Sequence, residues 1–173
     1  MGKKSTKTNK NIYQIYREEN GLTREKASEI MQYISADRIE KIESEKSLPH
    51  PDDIVAMADC YKSPDLCNYY CSHECPIGLR YVPEVKIKDL AQIVLEVLSS
   101  LNTLEKEKNR LIEISVDGKI SDDELTDFAK IQNQLAKISL AVDALQLWVE
   151  KTLAEGNINK ELLAAVQNSM IEE

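Results

Sequence analysis

Residues 17–43 read REENGLTREKASEIMQYISADRIEKIE, and the order of stops and caps along this stretch decides the fold. Asn20-Gly21 ends one helix, because either residue tolerates the left-handed backbone found at a helix C-terminus. Thr23 opens a second helix, Arg24 to about Gln32, by offering its hydroxyl to unpaired backbone amides, and Ser35 does the same for a third. In that third helix Ile39 and Ile42 face inward. Helices this short are not stable alone in water, so they must share a core with their neighbours.

Working outward, the first helix of the group runs from about Asn11 to Glu19 and places Ile12, Ile15 and Tyr16 on one face. Before it, residues 1–10 hold four lysines and no acid, the composition of a flexible basic arm. After it, Pro51 followed by Asp52-Asp53 makes a good opening for a fourth helix, since proline needs no amide partner there and acids suit the positive end. Ile54, Met57, Ala58 and Tyr61 supply its buried side, and Cys60 belongs with them. Ser63-Pro64-Asp65 repeats the opening for a fifth helix carrying Leu66, Tyr69 and Tyr70. These five helices define a domain at 11–75, followed by an ordered linker at 76–86.

Beyond the linker the pattern changes. Leu90, Val94, Val97, Leu101, Leu104, Lys108 and Leu111 recur at spacings of four and three, as do Phe128, Ile131, Leu135, Ile138, Val142, Leu145 and Val149. Both are heptad seams, and the turn at Asp117-Gly118 between them predicts an antiparallel helical hairpin within 87–173. Ser121 with Glu124 reads as a capping box for the second arm. Ile93, Leu98, Leu147 and Trp148 lie off the seams and call for further cover, either from a short C-terminal helix over Asn159–Met170 or from another copy of the chain. The fold class expected is therefore all-α.

Composition agrees: aromatic residues make up 5% of the 173, and there are only five glycines, too few for a strand-rich fold. No apolar run reaches the length of a membrane span, and no secretory leader is visible, so a cytoplasmic protein that does not enter membranes is expected. Of the net charge of −8, residues 1–60 carry −1 and residues 61–173 carry −7, so the acid lies mostly in the C-terminal part. Only two histidines are present, with no nucleophile elbow or phosphate loop, so no enzyme is expected.

Cys67, Cys71 and Cys75 are spaced by four, with His73 among them. Thiolate and imidazole are zinc ligands, yet the spacing lacks the tight two-residue knuckle of a structural zinc site. Three readings stand side by side: plain buried thiols, a metal site (zinc being the candidate), and a redox switch.

Residues 11–75 resemble the Cro/repressor type of helix-turn-helix domain, the XRE family, through Arg17-x3-Gly21-Leu22-Thr23 and Ile39-x2-Ile42-Glu43. The resemblance implies a five-helix domain that binds double-stranded DNA as a transcriptional regulator, its second helix across the major groove and its third inside it. By position, Ala36, Asp37, Glu40 and Lys41 would read bases, while Arg24 and Lys46 would lie near phosphates. Arg38 would touch a base or the backbone, and Arg17 with Glu43 would form a structural bridge. A homodimer held by the C-terminal hairpins would present two such helices to two half-sites, and the hairpin could also receive a protein partner. The sequence departs from the family at two glycines: the turn reads Gln32-Tyr33-Ile34, one residue longer than usual, and Glu45 stands where glycine is common. Asp37 and Glu40 also bring negative charge toward DNA. The alternative functions are a protein-interaction module, such as an antitoxin or accessory factor, and a metal- or thiol-responsive sensor.

Overall fold

The computed structural model describes residues 10–171, so of the basic arm only Lys10 lies within the described residues. Those residues form helices and no strand: α1 (Ile12–Glu19), α2 (Arg24–Met31), α3 (Ala36–Glu43), α4 (Pro51–Cys60), α5 (Asp65–His73), α6 (Gly78–Tyr81), α7 (Leu90–Ser115), α8 (Leu125–Ala154) and α9 (Lys160–Ile171). None is long and apolar enough to cross a membrane. The chain divides into two compact units, one running to Glu84 and resuming at Glu150, the other Val85–Val149.

In the first unit the helix ends lie where the capping residues put them. Thr23 Oγ1 accepts the amide of Lys26, and Ser35 Oγ accepts that of Arg38, each at 3.2 Å. Asn11 Oδ1 accepts the amide of Tyr13 at 2.9 Å. α1 stops at Gly21 (φ 68°), with the Leu22 amide reaching back to the Arg17 carbonyl. The core gathers one face from each helix: Tyr13, Ala27, Met31, Ile39, Ile42, Ile54, Met57, Tyr61 and Leu66, with Ile34 from the turn between α2 and α3. Cys60 packs half-buried against it.

α1 is rotated from the expected face. Tyr13 is fully buried while Ile15 is exposed and Ile12 and Tyr16 are half-buried. Arg17 lies one turn beyond Tyr13 on the same face, and its ion pair with a buried glutamate draws that face inward. Tyr13 then reaches α5, meeting Tyr69 edge-on at 6.2 Å and donating its hydroxyl to Glu74 at 3.0 Å. Burial, reinforced by Glu74, pushes the Tyr13 phenol far above its usual range, so the hydroxyl stays protonated and donates to Glu74.

The stretch expected as a linker contains α6, seated by Gly78. A Cβ at that position would lie 1.9 Å from the Cys71 carbonyl oxygen. The backbones of α5 and α6 thus touch at a distance only glycine permits.

In the second unit, Arg110 Nε donates to Asp127 and Gln134 Nε2 to the Ser100 carbonyl, both at 3.0 Å. Partner numbers fall along α8 as they rise along α7, so the helices run antiparallel. At the turn, Asp117 accepts the Lys119 amide, Gly118 takes φ 68°, and Ser121 donates its amide and hydroxyl to Glu124. The seam between the helices keeps Ile131, which is buried, and Val97, Leu104, Ile138 and Leu145, which are half-buried, but its alternate positions differ by one residue from the expected ones. Ile93, Ser100, Gln134 and Ala141 turn inward, whereas Val94, Leu101, Leu135 and Val142, each one position later, are exposed. Small residues at Ser100 and Ala141 and the Gln134 bond to the backbone let the helices approach along this line.

Candidate functional site

α3 has an inner side formed by Ile39 and Ile42 and an outer side on which Asp37 and Lys41 are exposed. Ala36 and Glu40 are half-buried. The position of this helix is governed by Glu43, its last residue. The Glu43 side chain is wholly buried, and Arg17 grips both of its oxygens at 2.6 and 2.9 Å. Arg24, from the start of α2, adds a third bond at 2.8 Å, and Arg17 also donates to the Leu22 carbonyl. One carboxylate therefore ties α1, α2 and α3 together. Burial opposes the charge on Arg17, but the hydrogen bonds and charge of Glu43 outweigh it and hold the guanidinium pKa up. The buried Tyr61 hydroxyl has no hydrogen-bond partner among the described residues.

The other basic side chains near α3 are also engaged. Arg38 donates to Asp53 at 2.6 Å, to Ser47 at 2.5 Å and to the Leu48 carbonyl at 3.0 Å. Asp53 itself accepts the His50 amide at the start of α4, so Arg38 fastens α3 to the loop that follows it. Lys46 pairs with Glu40 at 3.1 Å, and this bond holds the Glu40 carboxyl below its usual range. Lys41 has no ion pair among the described residues. Among the described residues, the exposed face of α3 thus combines one unpaired ammonium, one unpaired carboxylate at Asp37 and one neutralised pair. Lys10, the described residue of the arm, pairs with Glu18 at 2.6 Å.

The two missing glycines carry a conformational cost. Glu45 follows α3 in the left-handed region (φ 60°), and the Lys46 amide closes onto the Lys41 carbonyl, the arrangement that normally selects glycine. Gln32, in the turn between α2 and α3, has φ 65° and ψ −40°. The Tyr33 amide donates to the Met31 carbonyl at 2.8 Å, closing a strained three-residue γ-turn around it. Replacing Gln32 by glycine is expected to stabilise the fold by about 0.5–1 kcal/mol, the relief of positive φ exceeding the added chain entropy. Urea unfolding checks this, and a destabilised Gln32→Gly variant would mean that the side chain makes contacts that outweigh the strain. Beside this turn Ile30 and Tyr33 are exposed, as is Leu48 after α3.

No family model, curated protein or solved structure matches the chain.

At the cysteine cluster the residues of the candidate metal site are not gathered together. Among the described residues no group of three or more His, Cys, Asp or Glu side chains is placed to hold a metal ion. Cys67 and Cys71 lie one turn apart on α5, while His73 faces away, its ring stacked on Tyr69 at 4.4 Å and its Nδ1 beside the Tyr69 carbonyl and Ser72 hydroxyl. Cys75 lies past the helix end, where its sulfur accepts the Gly78 amide. All four thiols are free and half-buried, and burial pushes Cys60 and Cys67 above the usual thiol range, which works against thiolate chemistry.

Sequence reasoning did not single out Asp53, Ser47 or the Leu48 carbonyl as partners of Arg38. Asp53 was legible only as an acid in the first turn of α4, and nothing in the spacing shows its second bond.

Proposed function

We propose that this chain is a DNA-binding regulator whose α2 and α3 act as a repressor-like helix-turn-helix. The observation that carries the reading is the Glu43 node, which locks α2 to α3 while leaving the outer side of α3 out of the core. A helix fixed from behind with a free outer face is what major-groove entry requires. In this reading Lys41 donates to a base edge, most readily guanine, and Asp37 accepts from cytosine, with Ala36 beside them. Arg24 and Lys46 contact phosphates, and Glu40 releases Lys46 when the phosphate competes for it. Arg38 acts at one remove, by holding the loop after α3. Two copies read two half-sites, and the α7–α8 hairpin of the second unit is the pairing region.

The test is fluorescence anisotropy with the full chain on DNA from upstream of its own coding region and on a scrambled duplex. Lys41→Ala is expected to weaken binding to the specific duplex about tenfold or more, with little change in melting temperature. Arg38→Ala is expected to lower the melting temperature first. Binding that falls steeply with salt but does not separate the two duplexes would remove the base-reading role of α3.

A second reading, a protein-interaction module built on the same helices, is favoured by the near-neutral face of α3 and by the exposed Ile30, Tyr33 and Leu48 around it. Failure to bind any DNA at low salt would leave that reading in place.

A further inference from the structure

Cys67 and Cys71 both lie on α5, four residues apart, so their side chains stand one above the other on one face of the helix. Both are free thiols and half-buried, so each side chain still meets solvent. After burial, the neighbouring Cys71 sulfur is the largest influence pushing the Cys67 thiol above its usual range. The other two cysteines stand apart from this pair. Cys75 follows Glu74, where the backbone leaves the helix (φ −121°), and its sulfur is taken by the Gly78 amide at 3.5 Å. Cys60 closes α4, and burial alone accounts for the rise of its thiol pKa.

Three chemistries are open to such a pair, and the spacing separates them. A disulfide needs Cβ atoms about 3.8 Å apart, while residues one turn apart on a helix hold theirs at about 5–6 Å, so oxidation would have to unwind α5. Zinc asks for four ligands in a tetrahedron, yet among the described residues no group of three or more His, Cys, Asp or Glu side chains is placed to hold an ion. A soft ion that takes two sulfurs in line needs them about 4.6 Å apart, twice a metal–sulfur bond of about 2.3 Å. Rotation about the two Cα–Cβ bonds reaches that separation with the helix intact. Among ions that accept so few ligands, thiolate donors select monovalent copper.

We propose that Cys67 and Cys71 bind one monovalent copper ion between them, in a two-coordinate site on α5. The ion displaces one proton from each thiol: Cu+ and two R–SH give [Cu(SR)2]− and two H+, with no change in the oxidation state of copper or sulfur. A protonated thiol is no obstacle, because a coordinated thiol gives up its proton outright. Bound copper ties two turns of α5 together, and the Cys71 carbonyl on which Gly78 seats α6 belongs to the tied segment. The proposal does not depend on what α3 binds.

Anaerobic titration of the full chain with Cu(I), in competition with the chromophoric chelator bathocuproine disulfonate, tests it. One copper per chain is expected, with X-ray absorption showing two sulfur neighbours and no nitrogen. Cys67→Ser and Cys71→Ser are each expected to weaken binding at least about a hundredfold, since a direct ligand matters more than an outer-shell partner, whose loss costs about 10–100-fold. Cys60→Ser and Cys75→Ser should bind copper as the wild type does. A wild type that yields all its copper to the chelator overturns the proposal, as do three sulfurs around the ion, zinc held in preference to copper, or tight binding that survives the loss of Cys71. The absorption measurement uses the wild type, so a cysteine variant that fails to fold does not remove the test.

Discussion

Glu43→Ala is expected to cost about 3–5 kcal/mol of folding stability, the range for removing one partner of a buried ion pair. Its carboxylate is fully buried and the Arg17 side chain is 7% exposed, so without Glu43 a guanidinium is left inside the domain with the Leu22 carbonyl and a long 4.0 Å contact to Glu18 to receive it. Arg24 is 34% exposed and can turn to water, so Arg24→Ala should cost less, about 1 kcal/mol. Urea unfolding of the full chain, followed in the first unit, gives both values. A double replacement, Arg17→Met with Glu43→Leu, should recover most of the loss, because apolar groups of similar volume remove the stranded charge. A Glu43→Ala cost under about 1 kcal/mol would show that water reaches the node and that it does not hold α3. In that case the structural basis of the DNA-binding proposal would go with it.

The Arg17–Glu43 contact was legible only through a resemblance between short motifs, since nothing in the spacing of Arg17 and Glu43 says that they meet. What local chemistry could show was the helix ends. Asn11, Thr23, Ser35 and Asp65 mark starts, and Gly21 marks a stop, because capping is decided within a few residues. Helix rotation was harder to read. Apolar periodicity on α1 pointed to Ile12, Ile15 and Tyr16, whereas a charged residue that finds a buried partner turned Tyr13 inward. On α7 and α8 two overlapping apolar lines exist, and choosing between them depended on Ser100, Gln134 and Ala141, residues that hydrophobicity alone ranks low. The outer face of α3 was assigned by position, but the engagement of Arg38 with Asp53 and of Lys46 with Glu40 arises from tertiary placement. A basic residue near a recognition helix is available to DNA only to the extent that no carboxylate of its own domain already holds it.

Gly78→Ala is expected to cost about 1–3 kcal/mol and to act locally, by lifting α6 from α5. The added methyl would meet backbone at Cys71, which cannot swing aside as the tip of a side chain can. Two bonds are at stake: the Val82 amide to the Gly78 carbonyl at 2.7 Å, and the Gly78 amide to the Cys75 sulfur at 3.5 Å. Hydrogen exchange should therefore speed up at residues 78–82 before it changes in the core helices, and Cys75 should react faster with a thiol reagent once its sulfur is uncovered. Gly118→Ala provides the contrast. Gly118, unlike Gly78, has a positive φ of 68°, and nothing lies within 4 Å of its Cβ position, so its cost reduces to backbone strain of about 1 kcal/mol. Equal, non-local effects at the two positions would mean that the close approach to Cys71 is not what makes Gly78 necessary. A larger, localised effect at Gly78 would make close backbone approach the reason that the chain after α5 folds back on it instead of running free as a linker.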